Sequence, residues 1–174
     1  MPLIKTLNGE TPTFGKNSFI AENATIIGSV TAGDNCSIWF QAVIRGDVHY
    51  IKMGHNVNVQ DGAVLHCTYQ KAPLNIGNNV SIGHRAIVHG CTVDDNALIG
   101  MGAIVMDHAH IGKNAVIAAG AVVLENTVVP PNCIYAGVPA KKVKEADESA
   151  IEGLNTRIAQ NYIKYSGWYK DENE

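Results

Sequence analysis

Aliphatic residues recur at every sixth position through much of the chain. A period of six differs from the 3.6 of an amphipathic helix and from the simple alternation of β-hairpins. It predicts short strands that each bury one aliphatic side chain, with a corner after each strand. Longer steps, from 44 to 53 and from 65 to 76, predict loops at residues 46–52 and 68–75. The regular part contains Ile76, Ile82, Val88, Val93, Ile99, Val105, Ile111, Ile117, Val123 and Val129.

Asparagine recurs at about three times this spacing. Glycine and asparagine are the residues that most readily adopt positive φ, so both suit corners. Three faces of six residues make a coil of 18, and the register from Phe14 to Tyr135 leaves room for about seven coils stacked ~4.8 Å apart. Residues 1–140 are therefore predicted to form an all-β solenoid. The corner asparagines are Asn17, Asn23, Asn35, Asn56, Asn79, Asn96, Asn114 and Asn132.

The pattern changes after residue 140. From Asp147 to Tyr165, apolar residues recur at steps of three and four, which predicts an amphipathic helix. Ser149 with Glu152 fits a capping box at its start, and Gly167 fits a stop. We therefore predict that residues 141–174 form a second segment, a C-terminal α-helix that packs on the solenoid.

Composition agrees with a thin β-structure and excludes several functions. Hydrophobic residues make up 46% of the 174 residues, but aromatic residues only 6% and charged residues 17%. Ile and Val, at 18 and 17, far outnumber the 7 Leu, which argues against a helical bundle. The net charge of −3 offers no basic surface for nucleic acid.

The chain has no sequence signal for a membrane or for export. It contains no run of 18 apolar residues, and its first residues lack the apolar core of a signal peptide. The four cysteines form no CxxC pair, which argues against a thiolate zinc site and against a disulfide scaffold. We expect a cytoplasmic protein with no membrane partner.

Three of the seven histidines stand out by their position in the repeat. His66 follows the core residue Leu65, and His89 follows the core residue Val88. His84 lies around a corner from His89, so one chain cannot easily bring both side chains to one ion. A second chain could complete the site. Three imidazoles that leave a fourth position open are typical of catalytic zinc. His55, His108 and His110 fit solvated corners.

These histidines belong to motifs that resemble the γ-class carbonic anhydrase family. The motifs are Arg45-Gly46-Asp47, Gln60-Asp61-Gly62 with Leu65-His66, Gly83-His84, and Val88-His89-Gly90. The resemblance implies a left-handed parallel β-helix of hexapeptide repeats, assembled as a homotrimer with metal sites between subunits. By the same resemblance, His66 and His89 come from one chain and His84 from its neighbour. It further implies that Gln60 hydrogen-bonds the metal-bound water, and that an ion-pair network holds the interface through Arg45, Asp47 and Asp61.

The resemblance also implies the chemistry. Zinc is the expected metal, although three histidines also accept iron or cobalt. Zinc would supply hydroxide at neutral pH, which attacks carbon dioxide to give bicarbonate. Active family members carry proton-shuttling glutamates, but this chain has Val48 at one such place and no acid in the loop 67–73. His49 or Tyr69 would have to substitute.

Two alternative functions remain open from the sequence. The segment Ile134–Lys141 resembles the end of hexapeptide acyltransferases, in which one histidine, here His89 or His110, would act as general base toward an acyl-CoA-dependent transfer. The missing glutamates are also compatible with a metal-binding scaffold of low catalytic rate.

Overall fold

Short strands and a single C-terminal helix make up the structure, a computed structural model that describes residues 1–171. The strands are β1 (Leu3–Lys5), β2 (Thr13–Phe14), β3 (Phe19–Ile20), β4 (Thr25–Ala32), β5 (Ser37–Ile38), β6 (Val43–Met53), β7 (Asn58–Val59), β8 (Val64–His66), β9 (Leu74–Ile76), β10 (Ser81–Ile82), β11 (Ile87–His89), β12 (Thr92–Val93), β13 (Leu98–Ile99), β14 (Ile104–Val105), β15 (His110–Ile111), β16 (Val116–Ile117), β17 (Val122–Val123), β18 (Val128–Val129), β19 (Cys133–Ala136) and β20 (Lys141–Glu145). The helix α1 follows at Glu148–Asp171.

The strands stack into the three faces of a triangular prism. Face I contains β3, β5, β7, β10, β13, β16 and β19, all paired in parallel, and β20 closes it in antiparallel pairing. Face II contains β1, the first halves of β4 and β6, and then β8, β11, β14 and β17. Face III contains β2, the second halves of β4 and β6, and then β9, β12, β15 and β18. The predicted all-β solenoid of about seven coils with a C-terminal helix is confirmed.

The six-residue pattern has the predicted cause. Its aliphatic side chains point into the prism, where residues such as Ile82, Val88 and Ile99 are fully buried. The corners carry asparagines with positive φ, and their side chains form a ladder. In this ladder the amide nitrogen of Asn35 donates to Asn56 at 3.1 Å, and that of Asn56 donates to Asn79 at 2.9 Å.

Both predicted insertions occur, in different forms. Residues 46–52, predicted as a loop, lie inside β6, which turns the corner between faces II and III. Gly46 pairs with Gly28 and Ile51 pairs with Val30, so the intervening residues form a bulge in a continuous strand. The second insertion, after β8, is a true loop closed by a bridge between Thr68 and Ala72.

The C-terminal segment differs from the prediction in three details. Lys141–Glu145 is a strand, so the helix occupies only the later part of the predicted 141–174 segment, of which 172–174 lie outside the described residues. Asp147 caps the helix instead of Ser149, because its Oδ1 accepts from the backbone N–H of Ala150 at 3.0 Å. The helix also continues through Gly167, since a glycine weakens a helix by only about 1 kcal/mol and packing outweighs that cost.

Helix α1 covers face I. Asn155 is buried, and its side-chain amide donates to the backbone carbonyls of Asn96 and Asn114 at 2.8 and 3.3 Å. Further along, Tyr162 packs edge-on against Trp39 with ring centroids 5.4 Å apart. Within residues 1–171 no helix is long and apolar enough to cross a membrane.

The outward side chains of the other two faces differ in character. Face III presents mainly polar residues in register, namely Thr13, Thr31, Lys52, Asn75, Thr92 and His110. Face II presents an aliphatic column of partly exposed residues, namely Val43, Val64, Ile87, Ile104 and Val122. Isolated exposed aliphatics are ordinary, whereas a continuous column of partly exposed ones is a candidate interaction surface.

Candidate metal centre

Strand register brings His66 and His89 together. They end β8 and β11, and they are paired residues on adjacent coils of face II. The two rings are 5.0 Å apart between centroids, and Nδ1 of His66 faces Nε2 of His89 at 3.0 Å. Residues 23 apart in sequence become neighbours because the loop after Thr68 lengthens the coil between them.

The far nitrogen of His66 is held by Asp47. Oδ1 of Asp47 lies 3.0 Å from Nε2 of His66, and Oδ2 accepts a hydrogen bond from Arg45. Burial alone would raise the pKa of Asp47, but the hydrogen bonds from Arg45 and His66 outweigh it and lower that pKa. Burial has the opposite effect on a histidine, and it lowers the pKa of His66. The lower pKa favours the neutral ring that a metal requires. The bulge in β6 is what places Asp47 here.

The far nitrogen of His89 has an equivalent partner in Asp107. Oδ1 of Asp107 lies 2.5 Å from Nδ1 of His89, and the hydroxyl of Thr68 donates to Oδ2 at 2.5 Å. Burial would raise the pKa of Asp107, but the hydrogen bonds from Thr68 and His89 lower it. Asp107 is therefore an anionic acceptor for the ring.

This arrangement fits a metal ion. A carboxylate lies at the far nitrogen of each ring, and this favours the tautomer whose N–H points to the carboxylate and whose facing nitrogen carries a lone pair. Two lone pairs 3.0 Å apart repel unless a cation lies between them. In a tetrahedral site with zinc–nitrogen bonds of 2.0–2.1 Å, two ligand nitrogens lie about 3.3 Å apart. The facing pair is close to that spacing.

His84 lies on the opposite edge of face II, at the corner with face I. Its Nδ1 is 2.7 Å from Oδ2 of Asp61, and its Nε2 is 3.4 Å from the hydroxyl of Tyr162 on α1. Gln60 belongs to the same edge, because its Oε1 accepts from the backbone N–H of His84 at 3.2 Å. Burial raises the pKa of Tyr162 to about 12, so this hydroxyl stays protonated at neutral pH.

One chain therefore contains two separate parts of the predicted site. The first comprises His66, His89, Arg45 and Asp47, and the second comprises His84, Gln60 and Asp61. Within residues 1–171 no three His, Cys, Asp or Glu side chains are grouped closely enough to hold an ion. The predicted network does not join Asp61 to Arg45 and Asp47 inside one chain, because the two parts lie at opposite edges of face II.

The other predicted residues lie outside these two groups. Nδ1 of His49 accepts from the backbone N–H of Tyr50 at 2.9 Å, and Tyr69 is exposed in the loop after β8. His110 pairs with Asp94 at 2.8 Å on face III. Cys67, next to His66, is buried, and burial raises the pKa of its thiol to about 11, so it is not a reactive thiolate.

Sequence reasoning missed two residues that contact the predicted ligands. Asp107 lies 18 residues after His89, which is one full coil, so the repeat itself could have identified it. The helical periodicity between Asp147 and Tyr165 accounts for Tyr162 only as an apolar residue of the helix. No sequence signal places its hydroxyl beside His84, because that depends on how α1 packs on face I.

Comparison with known proteins finds two family models that match this chain, both describing hexapeptide repeats, and relatives that are named carbonic anhydrases. The model described as "Bacterial transferase hexapeptide (six repeats)" matches residues 90–125, and that described as "Hexapeptide repeat of succinyl-transferase" matches residues 73–106. A "Carbonic anhydrase" of Geobacillus kaustophilus is 47% identical over 97% of this chain and 91% of its own length. "Gamma carbonic anhydrase 2, mitochondrial" of Arabidopsis thaliana is 37% identical over 94% of this chain and 60% of its own length.

The chain belongs to the γ-class carbonic anhydrase family. Its fold, the left-handed β-helix of hexapeptide repeats, is also that of a solved "hexapeptide transferase family protein" from Anaplasma phagocytophilum. That structure is 38% identical with a TM-score of 0.89, over 96% of this chain and 98% of the other. The fold is thus shared by γ-class carbonic anhydrases and transferases, and only the side chains at the site can separate the two activities.

Proposed function

We propose that this member of the γ-class carbonic anhydrase family catalyses the reversible hydration of carbon dioxide to bicarbonate. The metal, with zinc expected, is held between protomers of a homotrimer by His66 and His89 of one chain and His84 of the next. The observation that carries the proposal is the 3.0 Å contact between Nδ1 of His66 and Nε2 of His89, with a carboxylate at the far nitrogen of each ring.

The apolar surface of face II and the position of the two parts of the site support a ring of three chains. Face I is covered by α1 and face III is largely polar, whereas face II presents its aliphatic column to the outside. The two parts of the site lie at opposite edges of that same face. A head-to-tail contact across face II therefore joins the His84 edge of one chain to the His66 edge of the next, and such contacts form a ring when the rotation between chains closes.

Each residue of the site has a role in this scheme. A zinc ion bound by three neutral imidazoles lowers the pKa of a coordinated water to about 7. Asp47 and Asp61 accept the far protons of His66 and His84, which keeps the metal-facing nitrogens free of protons. Gln60 is buried beside His84, where its Oε1 accepts from the backbone N–H of His84 and its Nε2 donates to Oδ1 of Asn58 at 2.9 Å, and we assign its second amide hydrogen to the coordinated water.

A cleft beside His89 suits the substrate. It has a volume of about 350 Å³ and an apolar wall that includes Ile87, Ile104 and Met106, which is appropriate for a small apolar molecule such as carbon dioxide. Glu125 lines the same cleft and is exposed to solvent. We assign to it the transfer of the product proton to buffer, in place of the glutamates that the family carries elsewhere.

Three measurements on purified protein test the proposal: metal content by elemental analysis, oligomeric mass, and carbon dioxide hydration by stopped flow. We expect about one zinc per chain, a trimeric mass, and hydration that His66→Ala abolishes together with the metal. His55→Ala is the matched control, because His55 is a solvated corner histidine that should leave both unchanged. A metal-free protein from metal-replete cells would refute the proposal. Bound metal without hydration would instead identify a metal-binding scaffold.

An acyl-CoA-dependent acyltransferase is the second candidate. The name of the Anaplasma relative favours it, and so does the contact between His110 and Asp94, which could orient a general base. This function needs no metal. Acetyl transfer from acetyl-CoA to a panel of amines and alcohols, unaffected by a chelator and abolished by His110→Ala, would establish it instead.

A further inference from the structure

We propose that Asp107, held by the hydroxyl of Thr68, is a positioning residue that fixes the tautomer of His89 and thereby the metal affinity of the site. This inference rests on the proposed function for the identity of the ligands. It assigns a role to two residues that lie outside the predicted motifs.

The first step is the geometry around Asp107. Its two carboxylate oxygens have different partners, His89 Nδ1 at 2.5 Å and Thr68 Oγ1 at 2.5 Å, and its side chain is only 16% exposed. A hydroxyl that donates to Oδ2 prevents the carboxylate from rotating away, so Oδ1 stays directed at the ring. The backbone provides room for this contact, since a Cβ on Gly90 would collide with Oδ1 of Asp107.

The second step is the protonation of the ring. A neutral imidazole carries one proton, on either Nδ1 or Nε2, and the hydrogen bond of one nitrogen decides the state of the other. An anionic acceptor at Nδ1 keeps the proton there. Nε2, which faces His66 Nδ1 at 3.0 Å, is then left as a free lone pair before any metal arrives.

The third step is the comparison with the other two histidines. His66 has Asp47 on its far nitrogen and His84 has Asp61, both inside the predicted motifs. Asp107 completes the set, so that each proposed ligand has one carboxylate partner. Such partners commonly change metal affinity by 10- to 100-fold when they are removed.

The test compares Asp107→Asn, which keeps the shape but removes the charge, with Thr68→Val, which removes only the hydroxyl. Zn²⁺ affinity is measured by competition with a chromophoric chelator. The tautomer of His89 is read from imidazole ¹⁵N shifts in metal-free protein, above the titration range of histidine. We expect a 10- to 100-fold weaker Zn²⁺ affinity for Asp107→Asn, with a rise in the Nε2–H tautomer. A smaller change in the same direction is expected for Thr68→Val.

The control is Asp34→Asn, which alters a carboxylate 3.8 Å from His55 on a remote corner and should leave both readouts unchanged. An unchanged Zn²⁺ affinity, or a weaker affinity with an unaltered His89 tautomer, would overturn the positioning role. The proposed function fails separately, if wild-type protein binds no metal. In that case the tautomer of His89 in the metal-free chain still decides the role of Asp107.

Discussion

Mixed trimers of two inactive variants should recover metal sites that neither variant forms alone. His84→Ala removes one part of the proposed site and His89→Ala removes the other. Because these histidines lie at opposite edges of face II, the intact His66–His89 pair of the first variant can meet the intact His84 of the second. Neither homotrimer contains such a combination.

The size of the recovery follows from the ring. In a head-to-tail trimer each site takes its pair from one chain and His84 from the next. A mixed trimer contains two copies of one variant and one of the other. In either case, only one of its three contacts between neighbouring chains has both the His66–His89 pair and His84 intact. We therefore expect about one third of the wild-type metal content and hydration rate in purified mixed trimers.

The assay is coexpression of the two variants with different affinity tags, followed by purification on both tags and by metal analysis. The matched control combines His66→Ala with His89→Ala. Both changes fall in the same part of the site, so no contact between neighbouring chains has an intact His66–His89 pair. Recovery in this control equal to that of the first pair, or no recovery in the first pair despite a trimeric mass, would refute the assignment of the ligands to two chains.

Four further predictions concern the core, one corner, the cleft and the thiols. Ile82→Ala, in the fully buried interior, should lower the free energy of unfolding in urea by about 2–5 kcal/mol. Val138→Ala, at an exposed site, should change it by less than about 0.5 kcal/mol. Gly90→Ala places a side chain at a φ of +47° in a crowded corner, so it should lower the melting temperature measurably. Glu125→Gln should slow hydration in weak buffer, with recovery in imidazole buffer and unchanged metal content. Burial raises the pKa of the Cys36 thiol, so mass spectrometry should find it unlabelled by iodoacetamide until the chain unfolds.

The fold was predictable because a solenoid repeats one physical solution. Each six-residue step needs one buried aliphatic and one corner, so Ile82, Ile99 and Ile117 repeat the same requirement along the chain. Both insertions were predicted in position, and the second is the predicted loop, but the first is a bulge within β6. The extra residues after Gly46 have no turn signal of their own, and pairing with Gly28 and Val30 decides that they become a bulge.

Residue counting predicted the ligand types of the site, whereas their grouping came only from the family resemblance. The loop after Thr68 has no repeat length, so residue counting could not show that His66 and His89 are register partners. The capping of α1 by Asp147 and the position of Tyr162 likewise depend on how the helix packs, which local sequence does not specify. Contacts between neighbouring coils can be predicted from the repeat, whereas contacts between α1 and the solenoid can be identified only in the structure.

The carboxylates suggest how the proposed site, divided between chains, would assemble. An imidazole that rotates freely must lose rotational freedom when it binds a metal, and this loss weakens binding. Here Asp47, Asp107 and Asp61 orient the three rings from within each chain, before any neighbour arrives. Assembly then only has to bring preoriented lone pairs together. A bound cation would remove their mutual repulsion and join two chains at once, so metal binding and trimer formation should strengthen each other.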